Sequence, residues 1–580
     1  MPRETLSRSA FATAGVLLAA SSLWAQPAPE PATGITPKQL VTAQRFMVVA
    51  AHPLAARTGA DILSRGGSAL DAAIATALVL NLVEPQSSGI GGGGFLLHFS
   101  AGANRLDAYD GRETAPAAAR PERFLAASGQ PLDWPAAIVS GRSAGVPGLL
   151  RLFELAHAKH GRLPWAELFA PAIGLAESGF PVSARLHALL TADRFLARDA
   201  AARRYFYLPD GQAKPAGTLL HNPEFAAVLK AVAAGGADAF YRGAIARDIA
   251  AAVRGHKTSP GDLAEADFAA YAAKPREPLC GAYRKWKVCG MPPPSSGGFA
   301  VLQILRILEG FDLRGVGPDS AQAAHLFSEA GRLAYADRNR YIADPDFVAA
   351  PLAALLDARY LSARARLIDP KRSMGRAQSG VPEGVRADFG LAEPLELPST
   401  THVSVVDAEG NAVALTASIE SAFGNRQMVR GFLLNNELTD FSWVPEEGGK
   451  PVANRVEGGK RPRSSMAPTL VFDETGKLVM VIGSPGGHSI INYVARTLVN
   501  VLDWGMDIQQ AIASPRMGSR NGPTELEQGT ALEKLAPELQ RMGHSVRVRP
   551  EASGLHGIVR TREGWTGGAD PRREGVAVGE

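Results

Sequence analysis

The sequence predicts an α+β protein in which helices cover sheets, and three observations support this. From residue 146 to about 345 the chain is rich in Ala, Leu and Arg at helical spacing, as in LLRLFELAHAKHG and AQAAHLFSEAGRLAYADRNRYI. After residue 400 the pattern changes to alternation, in THVSVVD and NAVALTASI joined by AEG, and again in LVFDETGKLVMVIG. Between the two lies 375–399, which has no period and carries several Gly and Pro, as expected of an exposed, mobile segment. A period near 3.6 marks an amphipathic helix and a period of two marks a strand with one face inward. These patterns give the class and leave the topology open.

At the N-terminus, Arg3 and Arg8 precede an apolar stretch from Phe11 to Leu23, and Ala25 offers a small residue at a cut. This is the pattern of a secretory signal over 1–25, and it implies a secreted, periplasmic protein. The stretch is short for a membrane span, and Pro27, Pro29 and Pro31 follow at once, so no anchor is expected after its removal. Residues 26–45 read as a Pro-, Ala- and Thr-rich linker. Helices are expected at 53–65 and 70–82. A glycine run then opens the strand-like FLLHF, and GGHSIINYVARTLVNVLDWG reads as a helix opened by glycines. The C-terminal part adds a helix near 532–542 and strand-like RVRP and GIVRTREGWTGGA.

Composition removes several function classes. Of 580 residues 46% are hydrophobic and 20% charged, which is ordinary for a folded protein. The net charge of +4 is small for this length, and no basic stripe is interleaved with aromatics, so nucleic acid is not an expected partner. Lys460-Arg461-Pro462-Arg463 reads as a turn or an anion contact. The two cysteines, Cys280 and Cys289, flank GAYRKWKV, whose symmetry suggests a hairpin. A disulfide across it and two free thiols both fit. No zinc-ligand spacing occurs, so neither metal nor cofactor is expected.

Two motifs compete for attention. Gly89-Ile90-Gly91-Gly92-Gly93-Gly94 matches the letters of a dinucleotide fingerprint, but a helix precedes it and a strand follows, the reverse of the required order. A steric role, close approach of backbone, fits better. Gly141-Arg142-Ser143-Ala144-Gly145 matches a nucleophile elbow, with AAIVS as its strand and LLRLFELAHAK as its helix, which makes Ser143 a rival nucleophile.

The junction Pro398-Ser399-Thr400-Thr401-His402 suggests different chemistry. A threonine hydroxyl is a weak nucleophile and needs a base beside it. If the chain is cut before Thr400, the new α-amine sits next to the hydroxyl, and its ordinary pKa of about 8 lets it take the proton at neutral pH. A loose segment before Thr400 and a strand from it onward suit such a cut. Alone, Thr-Thr at a strand start reflects β-propensity.

The words around this junction carry more. Thr400 through Asp407, with Gly410-Asn411-Ala412-Val413-Ala414, resembles the nucleophile region of gamma-glutamyltransferases. GIGGGGF at 89–95, YDGRETAP at 109–116, PPPSSGG at 292–298, ADRNRYIADPDFV at 336–348, LLNNELTDFS at 433–442, KRPRSSMAPT at 460–469 and GSPGG at 483–487 are similar to further words of that family, in its order, from about residue 40 to the C-terminus. The resemblance implies a four-layer αββα fold of the N-terminal-nucleophile hydrolases and self-cleavage of the Ser399–Thr400 bond. It implies a large subunit 26–399 and a small subunit 400–580 that stay together as a heterodimer.

It also implies roles. Thr400 is the nucleophile, and Ser418 stands where many relatives have threonine beside it. Gly486 and Gly487 match the oxyanion hole, and their place at a helix start gives outward N–H groups that favour negative charge. Arg112, whose planar fork suits two oxygens, matches the arginine for the α-carboxylate of a gamma-glutamyl group. Ser464 and Ser465 match donors to the same carboxylate, and Glu420, Glu437 and Asp440 match the holders of the α-ammonium. The implied activity is transfer of a gamma-glutamyl group from glutathione or a related compound to water, an amino acid or a peptide amine. A cephalosporin or glutaryl acylase on the same scaffold is the nearest alternative. A Ser143 hydrolase and a binding protein without turnover follow. Residues 443–459 are shorter than a full lid loop and lack the lid tyrosine, which implies a more open site. His488 is expected only to pack or lie at the surface.

Overall fold

The alternating runs after residue 400 become the centre of a sheet. The computed structural model describes residues 33–386, 388–391 and 399–580; the leader expected over 1–25 and residues 392–398 of the segment before Thr400 lie outside the described residues. Thr401–Val406 pairs antiparallel with Ala412–Ser418, so that Thr401 faces Ala417 and Val406 faces Ala412. Across the sheet the order is Val576–Gly579, Met47–Ala50, Thr401–Val406, Ala412–Ser418, Gly93–Ser100, Arg105–Gly111, Lys274–Arg276. A second seven-stranded sheet runs Val41–Ala43, Trp565–Ala569, His556–Arg560, Leu478–Gly483, Thr469–Phe472, Trp286–Gly290, Leu279–Tyr283.

The two faces of the first sheet pack differently. Val403, Val405, Val413 and Leu415 share a buried cluster with helices Pro53–Ser64, Ala69–Val83 and Leu149–His160. Met47, Val49, Phe95, Leu97 and Ala414 share another with Leu470, Met480 and Ile482 of the second sheet and with helices Gly297–Leu308, Ala321–Tyr341 and Ile490–Leu502. Each fully buried Val or Leu is worth about 1.5–3 kcal/mol, so both faces hold the central strands in place. His402 sits between the sheets, its ring against Gly483 and its Nδ1 2.8 Å from Thr416 Oγ1.

Helix signals read well where caps were strong. Ser68 and Asp71 form a capping box at the start of Ala69–Val83. The helix expected from GGHSIINYVARTLVNVLDWG starts with a short 3₁₀ turn, Gly487–Ser489, before Ile490–Leu502. Cys280 and Cys289 lie opposite each other in the hairpin Leu279–Tyr283/Trp286–Gly290 and are joined in a disulfide.

Four expectations change. The linker assigned to 26–45 already contains a strand, Val41–Ala43, which pairs with Trp565–Ala569, far away in sequence. The AAIVS strand is instead a helical turn, Trp134–Ile138, because Asp133 caps it and Pro135 suits its first turn. The segment before Thr400 is docked over part of its length: Ala377 exchanges two hydrogen bonds with the Asn521 side chain, and Gly380 N donates to Asp337 at 2.8 Å. Its partners come from remote residues, which local periodicity does not show. Finally, Lys460-Arg461-Pro462-Arg463 is internal. Lys460 Nζ donates to Ala453 O and Glu457, and Arg461 lies 3.4 Å from Asp110.

Candidate active site

Thr400 stands at the entrance of the central strand, 4% exposed, with φ +121°. That φ lies in the left-handed region, where a β-branched residue is strained. Ser399 before it is fully buried and donates from Oγ to Gln86 O at 2.8 Å. Thr400 Oγ1 donates to Ser418 Oγ at 3.2 Å, and Glu420 N donates to the same oxygen at 2.8 Å. Ser418 ends the partner strand, so the hairpin register sets this contact. The glycine run makes room for it: a Cβ on Gly92 would sit 2.1 Å from the Ser418 carbonyl oxygen.

A small cavity opens here, lined by Thr400, Ser418, Glu420, Glu437, Asp440, Ser464, Ser465, Met466, Gly487 and Ile490. Eight of these are residues the sequence reading had singled out; Met466 and Ile490 are additions, apolar and invisible to a search for chemistry. No residue of 443–459 lines it. That segment folds into a small hairpin, Glu446–Glu447 with Lys450–Pro451.

Arg112 lies behind the cavity wall. It is fully buried and pairs with Glu437 and Asp440, while its Nε and Nη2 donate to Pro462 O and Arg463 O. Burial pulls its pKa down, but Glu437, Asp440 and Glu113 outweigh that and raise it, so it stays a cation. Glu113, which the sequence reading missed, is buried beside it at 3.8 Å. Burial first, then Glu437, pushes the Glu113 carboxyl well above the usual range. Ser464 Oγ accepts from Met466 N, and Ser465 Oγ accepts from Arg338 Nη2 at 2.6 Å. Asn436 Nδ2 donates to Glu420 at 2.6 Å.

Gly487 lines the cavity; Gly486 precedes it with φ +131° and packs so closely on Tyr493 that a Cβ would fall 2.6 Å from the ring. His488 is half-buried, and its backbone carbonyl accepts from Tyr335 OH. Ser143 is elsewhere: it is buried in a 3₁₀ turn, and its hydroxyl donates to Ile138 O and Ser140 O, each at 2.8 Å. Among the described residues its hydrogen-bond partners are these two carbonyls, and no imidazole is bonded to it. Among the described residues two clusters have the spacing of metal ligands, His98–Asp107–His160 and His325–Glu329–His544, and none of the six lines the cavity. The His98 and His160 rings stack 3.7 Å apart at 15°, and His325 is hydrogen-bonded to His544.

The sequence profile of gamma-glutamyltranspeptidase matches residues 55–580. The chain belongs to the gamma-glutamyltranspeptidase family. It is therefore an enzyme-family member of the N-terminal-nucleophile hydrolase class, as the motifs implied. It is 36% identical over 554 residues to a glutathione hydrolase proenzyme of Bacillus subtilis, covering 93% of this chain and 92% of the relative. It is 37% identical over 563 residues to an acylase ACY 1 proenzyme of a Pseudomonas species, covering 95% and 96%. The fold superposes on the cephalosporin acylase from Bacillus halodurans with a TM-score of 0.82 at 27% identity, covering 96% of this chain and 99% of that one. Within the gamma-glutamyltranspeptidase family, then, hydrolases and acylases are equally near. Among the described residues no helix is long and apolar enough to cross a membrane.

Proposed function

We propose that this chain is a gamma-glutamyltransferase and glutathione hydrolase that cuts itself before Thr400 and then uses Thr400 as nucleophile. The observation that carries the reading is the Ser399–Thr400 junction: a buried bond, a strained φ at Thr400, and a threonine hydroxyl held by Ser418. A buried bond is closed to an outside protease, and the hydroxyl beside it is held by Ser418. Oγ1 adds to the Ser399 carbonyl carbon and the C–N bond breaks, its nitrogen taking up the proton. Water then hydrolyses the resulting ester to a Ser399 carboxylate and a free Thr400.

The mature fold is a four-layer αββα sandwich. Both sheets contain strands from each side of the cut: Met47–Ala50, Gly93–Ser100 and Trp286–Gly290 from 26–399, and Thr401–Val406, Ala412–Ser418 and Leu478–Gly483 from 400–580. Such interleaving keeps the two subunits together as a heterodimer.

In turnover the Thr400 amine takes the Oγ1 proton as Oγ1 attacks the γ-carbonyl, and returns it to the leaving amine. Gly486 and Gly487 N–H groups meet the oxyanion. Glu420, Glu437 and Asp440 hold the α-ammonium. Ser464 and Ser465 donate to the α-carboxylate, which reaches Arg112 by taking the place of Glu437 and Asp440 on its fork. Water or an amino acid or peptide amine then releases the gamma-glutamyl group.

The second reading, an acylase for glutaryl-type groups, is supported by the Pseudomonas and Bacillus halodurans relatives. The acids at the cavity favour a substrate with a cation. Gamma-glutamyl and glutaryl p-nitroanilides differ only in that ammonium. The proposal expects kcat/KM at least about tenfold higher for the gamma-glutamyl anilide, the equivalent of one modest ionic contact of about 1.4 kcal/mol. A preference for the glutaryl compound would make the enzyme an acylase. A secreted, periplasmic location is part of the same reading, and N-terminal analysis of exported protein tests it.

A further inference from the structure

Arg573 belongs to no motif used above, yet its guanidinium reaches the nucleophile's own backbone. Nη1 donates to Thr400 O at 3.3 Å and Nη2 to Ala552 O at 3.2 Å, and the residue is 3% exposed. Its side chain threads past Gly554. A Cβ there would fall 2.6 Å from both Arg573 Cδ and Pro485 Cγ, and Gly554 N donates to Ser484 Oγ at 3.5 Å. Pro485 immediately precedes Gly486. One buried loop, Ala552–Leu555, therefore touches both the arginine that holds Thr400 and the turn that carries the oxyanion glycines. Asp570 fastens this loop, accepting from Ser553 Oγ at 2.6 Å and Leu555 N at 3.1 Å.

We propose that Arg573 is a positioning residue for Thr400: it fixes the carbonyl of the nucleophile, and its fixed positive charge keeps the adjoining α-amine unprotonated, hence able to act as base, at neutral pH. The inference rests on the self-cleavage reading, since the amine exists only after the cut.

Among the described residues, the charges around Thr400 leave this role to Arg573. On the cavity side Glu437 and Asp440 are paired with Arg112, and Glu420 is bonded by Asn436. Glu113 stands behind Arg112. Between the sheets His402 and His556 are held neutral by burial. Asp570 is paired with Arg516 and Arg572. Near Gln86, Glu84 lies 3.9 Å from Arg185, and Glu574 accepts from Arg185 N. Arg338 contacts the cavity through Ser465. An arginine on the Thr400 carbonyl is separated from the amine only by that residue's own backbone. A unit charge at about 6 Å lowers an ammonium pKa by about two units at the effective dielectric of protein sites.

The test compares wild type, Arg573→Gln and Arg573→Lys as full-length, processed enzymes. A gel and N-terminal sequencing first establish that each is cut before Thr400; a wild type that stays uncut overturns the self-cleavage reading itself. On cut enzyme, kcat/KM and kcat for gamma-glutamyl-p-nitroanilide are followed from pH 5 to 10. The expected result is an acid limb moved up by about two pH units in Arg573→Gln, with little change in KM, and a limb close to wild type in Arg573→Lys. An unmoved limb in Arg573→Gln, or an equal shift in both variants, overturns the proposal. If Arg573→Gln does not process, the Thr400 amine of the wild type is titrated by NMR with ¹⁵N-threonine. A value below the ordinary 7.7–8.0 of an α-amine supports the proposal, and one at or above that range overturns it.

Discussion

Thr400 Oγ1 lies 3.2 Å from Ser418 Oγ, and the two residues sit at the open end of one antiparallel hairpin. The contact aligns the hydroxyl before any substrate arrives. Because Glu420 N also donates to Ser418 Oγ, the serine is itself held. Ser418→Ala removes the partner without enlarging the strand. A neutral hydrogen bond of this kind is worth about 1 kcal/mol, so kcat/KM with a gamma-glutamyl anilide should fall about five- to tenfold, with the melting temperature little changed. Unaltered steady-state kinetics would remove Ser418 from the machinery.

Gly486 combines a left-handed φ of +131° with a tyrosine ring pressed against its Cα. Gly486→Ala forces the turn to move and so misdirects the donors proposed at Gly486 and Gly487. Losing one such donor costs about 10²–10³ in kcat. Gly102→Ala is the control, since Gly102 has open space around its Cα. The expected pattern is a kcat reduced about a hundredfold or more in the first variant and wild-type kinetics in the second.

His556 is buried between the sheets, and its pKa is pushed down to about 3 by burial first, with Arg573 adding to the effect and Asp570 opposing it. In the unfolded chain an imidazole titrates near ~6.5. The unfolded state therefore binds the extra proton between those values, and stability is lost as pH falls from 6.5 towards about 3. The slope is about 1.4 kcal/mol per pH unit for one such group. His556→Met cannot take a proton. Between pH 6.5 and pH 5 the wild type should lose about 2 kcal/mol more of its unfolding free energy than the variant, read from denaturant titrations. Parallel losses in both proteins would show that His556 does not set the acid limit.

Much of the candidate site was legible because it is written in short words of unusual composition. The eight motif residues from Thr400 to Gly487 that line the cavity come from separate stretches, and each was visible as a nucleophile, acid, hydroxyl or glycine in its own word. The hairpin of Thr401–Val406 and Ala412–Ser418 was legible too, through alternation and the AEG turn. What escaped has a physical cause. Val41–Ala43 is three residues long and gains its strand character from Trp565–Ala569, so no local pattern exists to read. Glu113, Arg338 and Arg573 look like ordinary surface charges in sequence. Only folding buries them, and only then do they meet Arg112, Ser465 and the Thr400 carbonyl. The pairing of Arg112 with Glu437 and Asp440 was likewise hidden, because the arginine had been given to the α-carboxylate of the substrate and the two acids to its α-ammonium.

The measurement that bears most directly on the account is intact mass with N-terminal sequencing of the purified, active enzyme. The account predicts two chains, the smaller beginning at Thr400 and ending at Glu580, and a single uncut, inactive chain for Thr400→Ala. An active wild-type protein whose polypeptide runs unbroken from Ser399 into Thr400 would contradict it.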